Sequence, residues 1–241
     1  MPTLSLDQAE FAPLFHSCEA VQSRDNALMH RIFELRYQVY CEERGFLPAA
    51  NYPDRCETDE RDASSAHFCA FNLSDALVGY VRLVRSDLRQ NFPFQNHCSA
   101  LLEGASLAPP AQAAEISRLM VRFDYRRRRG DLLEGVTVEE DPARGAHELR
   151  DHSPQILLSM YRQMYAFSLA NGIRYWYAAM ERPLARALNQ MNFVFRQIGP
   201  SSDYYGVVAP YIGDLRELEA HLAQRNPALM AWMQRPEAID I

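Results

Sequence analysis

Several charged residues of this sequence occur inside segments that are otherwise apolar. Arg36 lies in an amphipathic, helix-like segment. Three more lie in two strand-like runs: Arg82, Glu115 and Arg118. Burying a charge without a partner costs many kcal/mol, so each of these side chains needs an oppositely charged neighbour. The sequence therefore predicts a network of ion pairs inside the fold.

A loop rich in acids can supply the partners. The run Cys-Glu-Thr-Asp-Glu-Arg-Asp at residues 56–62 contains Glu57, Asp59 and Asp62, in a polar stretch too long to be a simple connection. We expect ion pairs to hold this acidic loop against the sheet. The acids are in surplus, and a surplus carboxylate beside a cleft could bind an amine or take a proton from it.

A second cluster of charge follows a strand-like segment. The run Tyr125-Arg-Arg-Arg-Arg-Gly130 places four guanidinium groups in one loop. Arginine offers a planar fork of donors that suits phosphate or pyrophosphate, and the alternative is a solvated cationic loop. No glycine fingerprint of a nucleotide-binding turn is present, so neither a Walker loop nor a Rossmann turn is indicated.

Other catalytic patterns are missing from the sequence. The seven histidines form no HExxH motif, so we expect no metal. No GxSxG motif occurs, and no Ser or Cys has the context of a nucleophile, which favours direct transfer over a covalent enzyme intermediate. One predicted helix bears a Met/aromatic set that could form core or line an acyl-chain tunnel: Met160, Tyr161, Met164, Tyr165 and Phe167.

The composition is that of an ordinary globular protein. The chain has 241 residues, 48% hydrophobic and 23% charged, and a net charge of −6, which gives it no overall attraction to nucleic acid or acidic membranes. The five cysteines form no CxxC pair, so reduced thiols in the cytoplasm are expected. Residues 1–11 lack the features of a signal peptide, and no apolar run is long enough to span a bilayer.

The apolar pattern predicts a mixed α/β domain. Leu28, Ile32, Leu35 and Val39 recur at helical steps, which predicts a helix over 26–43 with Asn26 near its N-cap. Further helices are predicted at 153–170, 183–191 and 215–224, and strands at 67–73, 76–84, 116–123, 173–180, 193–198 and 205–211. This order predicts one domain over 26–241 with a central sheet flanked by helices. We expect an arm or short helix over 1–25, a mobile insertion near 131–152 and a frayed C-terminal tail.

Four motifs, taken in order, resemble those of a known group of enzymes. They are Arg31-Ile-Phe-Glu-Leu-Arg-Tyr37, Glu57-x-Asp59-x-x-Asp62, Gly79-x-x-Arg82-Leu and Glu115-x-x-Arg118. Their order and spacing are similar to those of acyl-homoserine-lactone (autoinducer) synthases. They are closer still to N-acyl amino acid synthases and to acyltransferases associated with the PEP-CTERM/exosortase system. The resemblance implies a GNAT-like (acyl-CoA N-acyltransferase) fold and an acyl-carrier-protein or CoA thioester as co-substrate, with no bound cofactor.

The resemblance also implies roles for individual residues. Glu57 and Glu115 are the candidates for taking the proton of an attacking amine. Arg36, Arg82 and Arg118, with Asp59 and Asp62, would hold the acidic loop or the substrate. The residues expected to meet the acyl donor are Leu119, Met120, Val121 and Arg122 on the strand and Arg126, Arg127, Arg128, Arg129 and Gly130 on the loop. The loop arginines would contact phosphopantetheine or an acidic acyl carrier protein.

The expected activity is N-acylation of an amino acid or similar small amine in a ternary complex. One alternative is an acyl-homoserine-lactone synthase that uses S-adenosylmethionine. The segments from Glu181 to Gly206 resemble the exosortase-associated group more than the autoinducer synthases, which argues against S-adenosylmethionine as a substrate. Another alternative is a non-catalytic module that binds acyl thioesters. A nucleic-acid role would rest on Arg126–Arg129 alone, without interleaved aromatics, and is disfavoured.

Overall fold

A computed structural model describes residues 15–20, 26–87, 89, 91–125, 153–204 and 206–235. The strands are β1 (Phe15–Ala20), β2 (Ser65–Asn72), β3 (Leu77–Val84), β4 (Ala113–Val121), β5 (Tyr175–Met180), β6 (Arg196–Gln197), β7 (Ser202–Asp203) and β8 (Val207–Asp214). The α-helices are α1 (Ala27–Tyr37), α2 (Ser153–Ala170), α3 (Arg182–Gln190), α4 (Leu215–Arg225) and α5 (Pro227–Gln234). None of the helices that the structure describes is both long and apolar enough to cross a membrane.

The strands form one mixed sheet in the order β1-β2-β3-β4-β5-β8-β6, with β7 paired to β8. The first four strands are antiparallel, β5 joins β4 in parallel, and β8 returns antiparallel to β5. Every residue of β3 is buried, as expected for a central strand covered on both faces.

Helices cover the two faces of the sheet unequally. Helix α2 packs across one face through Ile156, Met160 and Met164, which belong to the largest apolar cluster. Helix α1 packs on the opposite face through Ile32 and Leu35. A third apolar cluster lies on the α1 side of β5, where the loop before β4 covers the sheet: Phe92, Phe94, Cys98, Ala113, Tyr177, Ile198, Val208 and Ile212. The face between α1 and this loop is left for polar side chains.

Two irregularities of β4 shape its free edge. It pairs with β5 only over Ala113–Glu115, so the two strands separate beyond Glu115. A shift in the β3–β4 register leaves two residues of β4, Arg118 and Leu119, opposite the single residue Val81 of β3, which is a β-bulge. Arg118 adopts the left-handed conformation there, with φ of 57°. This combination opens a gap in the middle of the sheet, bordered by a kinked strand.

The helix predicted over 26–43 is confirmed, with Asn26 as its N-cap, although its last turn, Gln38–Glu43, is π-helical. The sequence indicated an arm or short helix before residue 26, but Phe15–Ala20 form the edge strand β1. It also indicated a frayed tail where Pro227–Gln234 form α5, and a full strand at 193–198 where two residues form β6. The insertion near 131–152 and residues 1–14 and 21–25 lie outside the described residues, and the domain bounds remain a prediction.

Close contact between α2 and β3 depends on Gly79. A Cβ added at Gly79 would lie 2.7 Å from Ile156 Cγ2, which is closer than real Cβ contacts allow. We predict that Gly79→Ala lowers the free energy of unfolding by about 1–3 kcal/mol, the usual cost of overpacking. Denaturant unfolding should show a smaller loss for Gly213→Ala, whose added Cβ would lie 3.1 Å from the Phe195 ring. Equal stability of Gly79→Ala and wild type would contradict this packing.

Candidate active site

Arg36 lies at the centre of the polar face with its side chain completely buried. Its Nε donates to Glu57 Oε2 at 2.6 Å, and its Nη1 donates to Asp62 Oδ1 at 2.5 Å. The aromatic rings of Phe33 and Tyr80 lie 5.4 Å and 6.0 Å from its guanidinium carbon. Arg36 therefore ties α1 to both ends of the acidic loop.

Two further arginines reach the same acids from the sheet. Arg82 Nη1 on β3 donates to Asp59 at 2.7 Å and to Asp62 at 2.6 Å. Arg118 Nη2 on β4 donates to Glu57 at 3.0 Å and to Asp59 at 3.1 Å. Each acid thus meets at least two arginines, and the predicted ion-pair network is confirmed. We call Arg36, Arg82, Arg118, Glu57, Asp59 and Asp62 the charge clamp.

The register of the sheet explains why these arginines meet. His67, Arg82 and Ser117 lie opposite one another across β2, β3 and β4, so their side chains share one face. The β4 bulge then places Arg118 on that face as well, although strict alternation would turn it away. The bulge is therefore what adds a third guanidinium to the charge clamp.

His67 supports the charge clamp from β2. Its Nε2 lies 3.0 Å from the Asp62 carbonyl oxygen, which can only accept, so Nε2 is the protonated nitrogen. Its Nδ1 then accepts from the Tyr80 hydroxyl at 2.7 Å. Burial lowers the pKa of His67, which keeps this neutral tautomer in place. The acidic loop is thereby fixed through its backbone as well as its side chains.

The charge clamp keeps Glu57 and Asp59 ionised. Burial alone would raise the pKa of Glu57, but hydrogen bonds from Arg36 and Arg118 outweigh it and lower that pKa. Burial opposes ionisation of Asp59 in the same way, and Arg82 overcomes it, which brings the pKa of Asp59 to about 2. Both oxygens of Glu57 accept from arginine, so Glu57 is a poor proton acceptor.

Glu115 lies on the same sheet face in a different environment. Its carboxyl group is buried and accepts a hydrogen bond from the backbone N–H of Phe94 at 2.8 Å. Burial raises the pKa of Glu115 to about 8, because that bond and the more distant arginines only partly offset it. The pKa values of the two predicted site glutamates, Glu57 and Glu115, are therefore shifted in opposite directions.

A cleft of about 1050 Å³ passes through the gap between β4 and β5. On the α1 side its wall is mainly polar and aromatic: Gln38, Tyr40, Glu43, Arg44, Phe46, Asp59, Arg61, Arg82, Glu115, Ser117 and Arg118. On the α2 side it is mainly apolar: Ile116, Leu119, Val121, Tyr161, Ala178, Met180 and Leu184. The cleft thus joins a charged half to an apolar half through the break in the sheet.

Only some of the residues expected to contact the acyl donor line the cleft. Leu119, Met120 and Val121 line it, and neither Arg118 nor Leu119 has a partner in the β3–β4 ladder. Arg122 does not line it: its backbone N–H donates to Val78 and its side chain binds Asp124. Its expected contact with the acyl donor therefore stays a prediction. Arg126, Arg127, Arg128, Arg129 and Gly130 lie outside the described residues.

Several cleft residues were not anticipated as site residues. Tyr40 and Phe46 carry no chemical motif, yet they line the charged half, and the Tyr40 ring lies 5.0 Å from the Arg118 guanidinium carbon. Of the Met/aromatic set on α2, only Tyr161 lines the cleft, while Met160, Met164 and Tyr165 are core. No group of metal-binding side chains occurs among the residues that the structure describes.

Comparisons with known proteins agree with this architecture. Residues 35–134 match the model of the acetyltransferase (GNAT) domain. No curated protein sequence matches this chain significantly. The solved structure of the CoA-dependent acyl-homoserine lactone synthase BjaI with SAM and isopentyl-CoA is similar over 88% of both chains, with 19% identity and a TM-score of 0.60.

Other solved structures extend the likeness. The AHL synthase LasI matches 87% of this chain and 95% of its own, with 15% identity and a TM-score of 0.60. TofI, in a ternary complex with an inhibitor and MTA, matches 89% of this chain and 99% of its own, with 17% identity and a TM-score of 0.58. The predicted GNAT-like α/β fold is confirmed.

The burial of the charge clamp leads to a prediction about the free energy of unfolding. Arg36→Met would leave Glu57 and Asp62 buried with fewer partners, so we expect a loss of about 3–5 kcal/mol in the free energy of unfolding. Arg55→Met is the matched control, because Arg55 contacts Glu42 at the same 2.6 Å but both side chains are exposed. Its loss should be about 0–1 kcal/mol. Similar losses for the two variants in denaturant unfolding would show that burial does not set the strength of the clamp.

Proposed function

We propose that this protein is an N-acyltransferase in which a small amine attacks an acyl thioester directly within the cleft. The observation behind the proposal is the gap between β4 and β5, which joins a bulged strand edge to a buried carboxyl group of high pKa. The match of residues 35–134 to an acetyltransferase domain supports the same chemistry. The acceptor is an amino acid or a similar small amine.

The donor lies along the free edge of β4. Since Arg118 and Leu119 lack ladder partners, their backbone N–H groups can face a thioester carbonyl at the gap. Fixed N–H donors stabilise the oxyanion that forms when an amine attacks such a carbonyl. The acyl chain then extends into the apolar half, toward Tyr161, Met180 and Leu184. Arg126–Arg129 and Gly130 follow β4 along the chain and remain the proposed contacts for phosphopantetheine or carrier protein.

The acceptor amine enters the charged half. A free α-amino group has a pKa of ~8, so only a minority is neutral at pH 7, and the protonated form must lose a proton before it attacks. Glu115 is the proposed proton acceptor, directly or through water, because its pKa of about 8 matches that of the amine. Within the charge clamp, Arg118 and Asp59 are partly exposed and are the members placed to contact the acceptor.

Glu57 has a different role in this proposal. It was one of two candidates for the base, but Arg36 and Arg118 occupy its oxygens and keep it ionised. We assign Glu57, with Asp62, Arg36 and Arg82, to holding the acidic loop in position. Direct transfer is favoured because no cysteine lines the part of the cleft that the described residues form, and Ser117 accepts from Arg82.

A lactone-forming synthase is the second candidate. It is favoured by the likeness of the fold to acyl-homoserine-lactone synthases, and it would use S-adenosylmethionine as the amine. Acyl carrier protein or CoA would be the acyl carrier in both cases, which implies a cytoplasmic enzyme. A role beside an exosortase system rests on sequence resemblance alone.

Product analysis tests the proposal. The protein is incubated with a long-chain acyl-carrier protein or acyl-CoA and a pool of amino acids, and free thiol and organic extract are measured. Thiol release that requires one amine, with an N-acyl product of matching mass, supports the proposal. Release only with S-adenosylmethionine, with a lactone product, supports the second candidate. Binding of the thioester without release would indicate a non-catalytic module and overturn both.

The raised pKa of Glu115 leads to a prediction about the pH dependence of kcat/KM. We expect Glu115→Gln to lower kcat/KM by about 10²–10⁴-fold. We also expect it to remove the part of the rise through pH of about 8 that comes from the enzyme. The ionisation of the amine contributes equally to both enzymes, so the ratio of their rates at each pH isolates the carboxyl group. Glu57→Gln is the comparison variant. It should lower the free energy of unfolding and leave the pH dependence of kcat/KM nearly unchanged.

The same carboxyl group should affect stability. A folded-state pKa above the ordinary value of 4.5 means that the folded protein holds the proton more tightly than the unfolded chain. This contribution is complete below pH 4.5 and is lost as the pH rises to about 8. Melting temperatures measured across this range should fall less in Glu115→Gln than in wild type. Identical pH dependence of rate and melting in the two proteins would remove Glu115 from the base role.

The proposed role of the loop arginines leads to a prediction about the KM for the acyl thioester. Arg127→Glu combined with Arg128→Glu should raise the KM for the acyl thioester while leaving the KM for the amine nearly unchanged, because the reversed charge repels an anionic carrier. The increase should be larger at low salt than at high salt, since ions screen exposed charges. Steady-state kinetics with either substrate varied separates the two constants. An unchanged KM for the thioester would contradict the assignment of this loop.

A further inference from the structure

Two cysteines lie directly opposite each other at the edge of the sheet. Cys18 on β1 is the register partner of Cys69 on β2. Opposite residues of an antiparallel pair point to the same face, with Cβ atoms about 4.5–5.5 Å apart. Both side chains pack in the apolar cluster under α1. A disulfide needs Cβ atoms about 3.5–4.5 Å apart, so a small movement of the edge strand brings the two thiols within bonding distance.

The two thiols differ in their access to an oxidant. Cys69 is completely buried, whereas Cys18 is partly exposed. Burial raises the pKa of the Cys69 thiol, and the neighbouring Cys18 raises it further, although Arg31 opposes this. Cys18 is therefore the thiol that a small oxidant meets first, and Cys69 is placed to react second.

The position of the pair in the chain gives the bond a consequence. The segment between Cys18 and Cys69 contains α1 and the acidic loop, and therefore Arg36, Glu57 and Asp62. Closing this segment covalently restricts the unfolded chain in the part that forms the charge clamp. The opposite face of β1 is already attached to α2, because the Ser17 hydroxyl donates to the Ser159 carbonyl. Edge strand, helix and acidic loop would then be held as one unit.

We propose that Cys18 and Cys69 form a reversible disulfide that ties the edge strand to the sheet under oxidising conditions. With oxidised glutathione, the Cys18 thiolate attacks the glutathione disulfide and forms a mixed disulfide, which releases one glutathione thiolate. The Cys69 sulfur then attacks the Cys18 sulfur, and the second glutathione leaves as a thiolate that takes up the proton of the Cys69 thiol. Two protein thiols are oxidised and one glutathione disulfide is reduced to two thiols.

Thiol counting on the full chain tests the proposal. The protein is treated with oxidised glutathione, unfolded, alkylated and weighed, and its linked peptides are sequenced. We expect the alkylated thiols to fall from the five of the reduced chain by two, with Cys18 and Cys69 in one linked peptide and recovery of all five after reduction. The oxidised form should melt several degrees higher than the reduced form.

Two variants separate the steps. Cys18→Ser, at the partly exposed position, should keep all its remaining thiols and show no shift in melting temperature. Cys69→Ser should retain glutathione on Cys18, since no second thiol displaces it. The proposal is overturned if wild-type Cys18 keeps glutathione, if all five thiols stay alkylatable, or if the bond joins another pair. A Cys18–Cys69 bond that leaves the melting temperature unchanged would contradict the tethering of the strand.

Discussion

The structure depends on the requirement that three guanidinium groups on one face of a sheet be matched by acids. Arg36, Arg82 and Arg118 converge from a helix and two strands, and none could be buried there alone. The acidic loop supplies these acids by folding over the sheet. Glu57, for example, accepts hydrogen bonds from arginines on both α1 and β4. Ion pairs to these acids thus help to fix the position of the loop.

The break in the sheet turns this rigid face into a site. Because β4 leaves β5 after Glu115, the charged face opens through the sheet into an apolar pocket on the other side. An amine prefers the charged half and an acyl chain prefers the apolar half, so the two would meet at the bulged strand between them. Glu115 lies just outside the reach of the arginines that bind Glu57, so one face holds an ionised carboxylate and a carboxyl group that can exchange its proton.

The sequence predicted the charge clamp because charged residues inside apolar segments must find partners. It could not predict the different states of Glu57 and Glu115, since these depend on which arginines reach each group and on a hydrogen bond from Phe94 in a separate loop. The bulge at Arg118 has no local signal, because a left-handed conformation at a non-glycine residue is imposed by the surrounding sheet. The edge strand β1 was missed because its six residues alternate weakly and acquire order from β2.

The most direct test of this account is a titration of the glutamate side chains by carbon NMR in protein labelled at the glutamate carboxyl carbon. We predict one buried carboxyl signal that titrates near pH 8 and disappears in Glu115→Gln, while the Glu57 carboxylate, assigned through Glu57→Gln, stays ionised throughout. A Glu115 signal that titrates at its ordinary pKa, or a step near pH 8 that belongs to Glu57, would contradict the division of roles between the two glutamates.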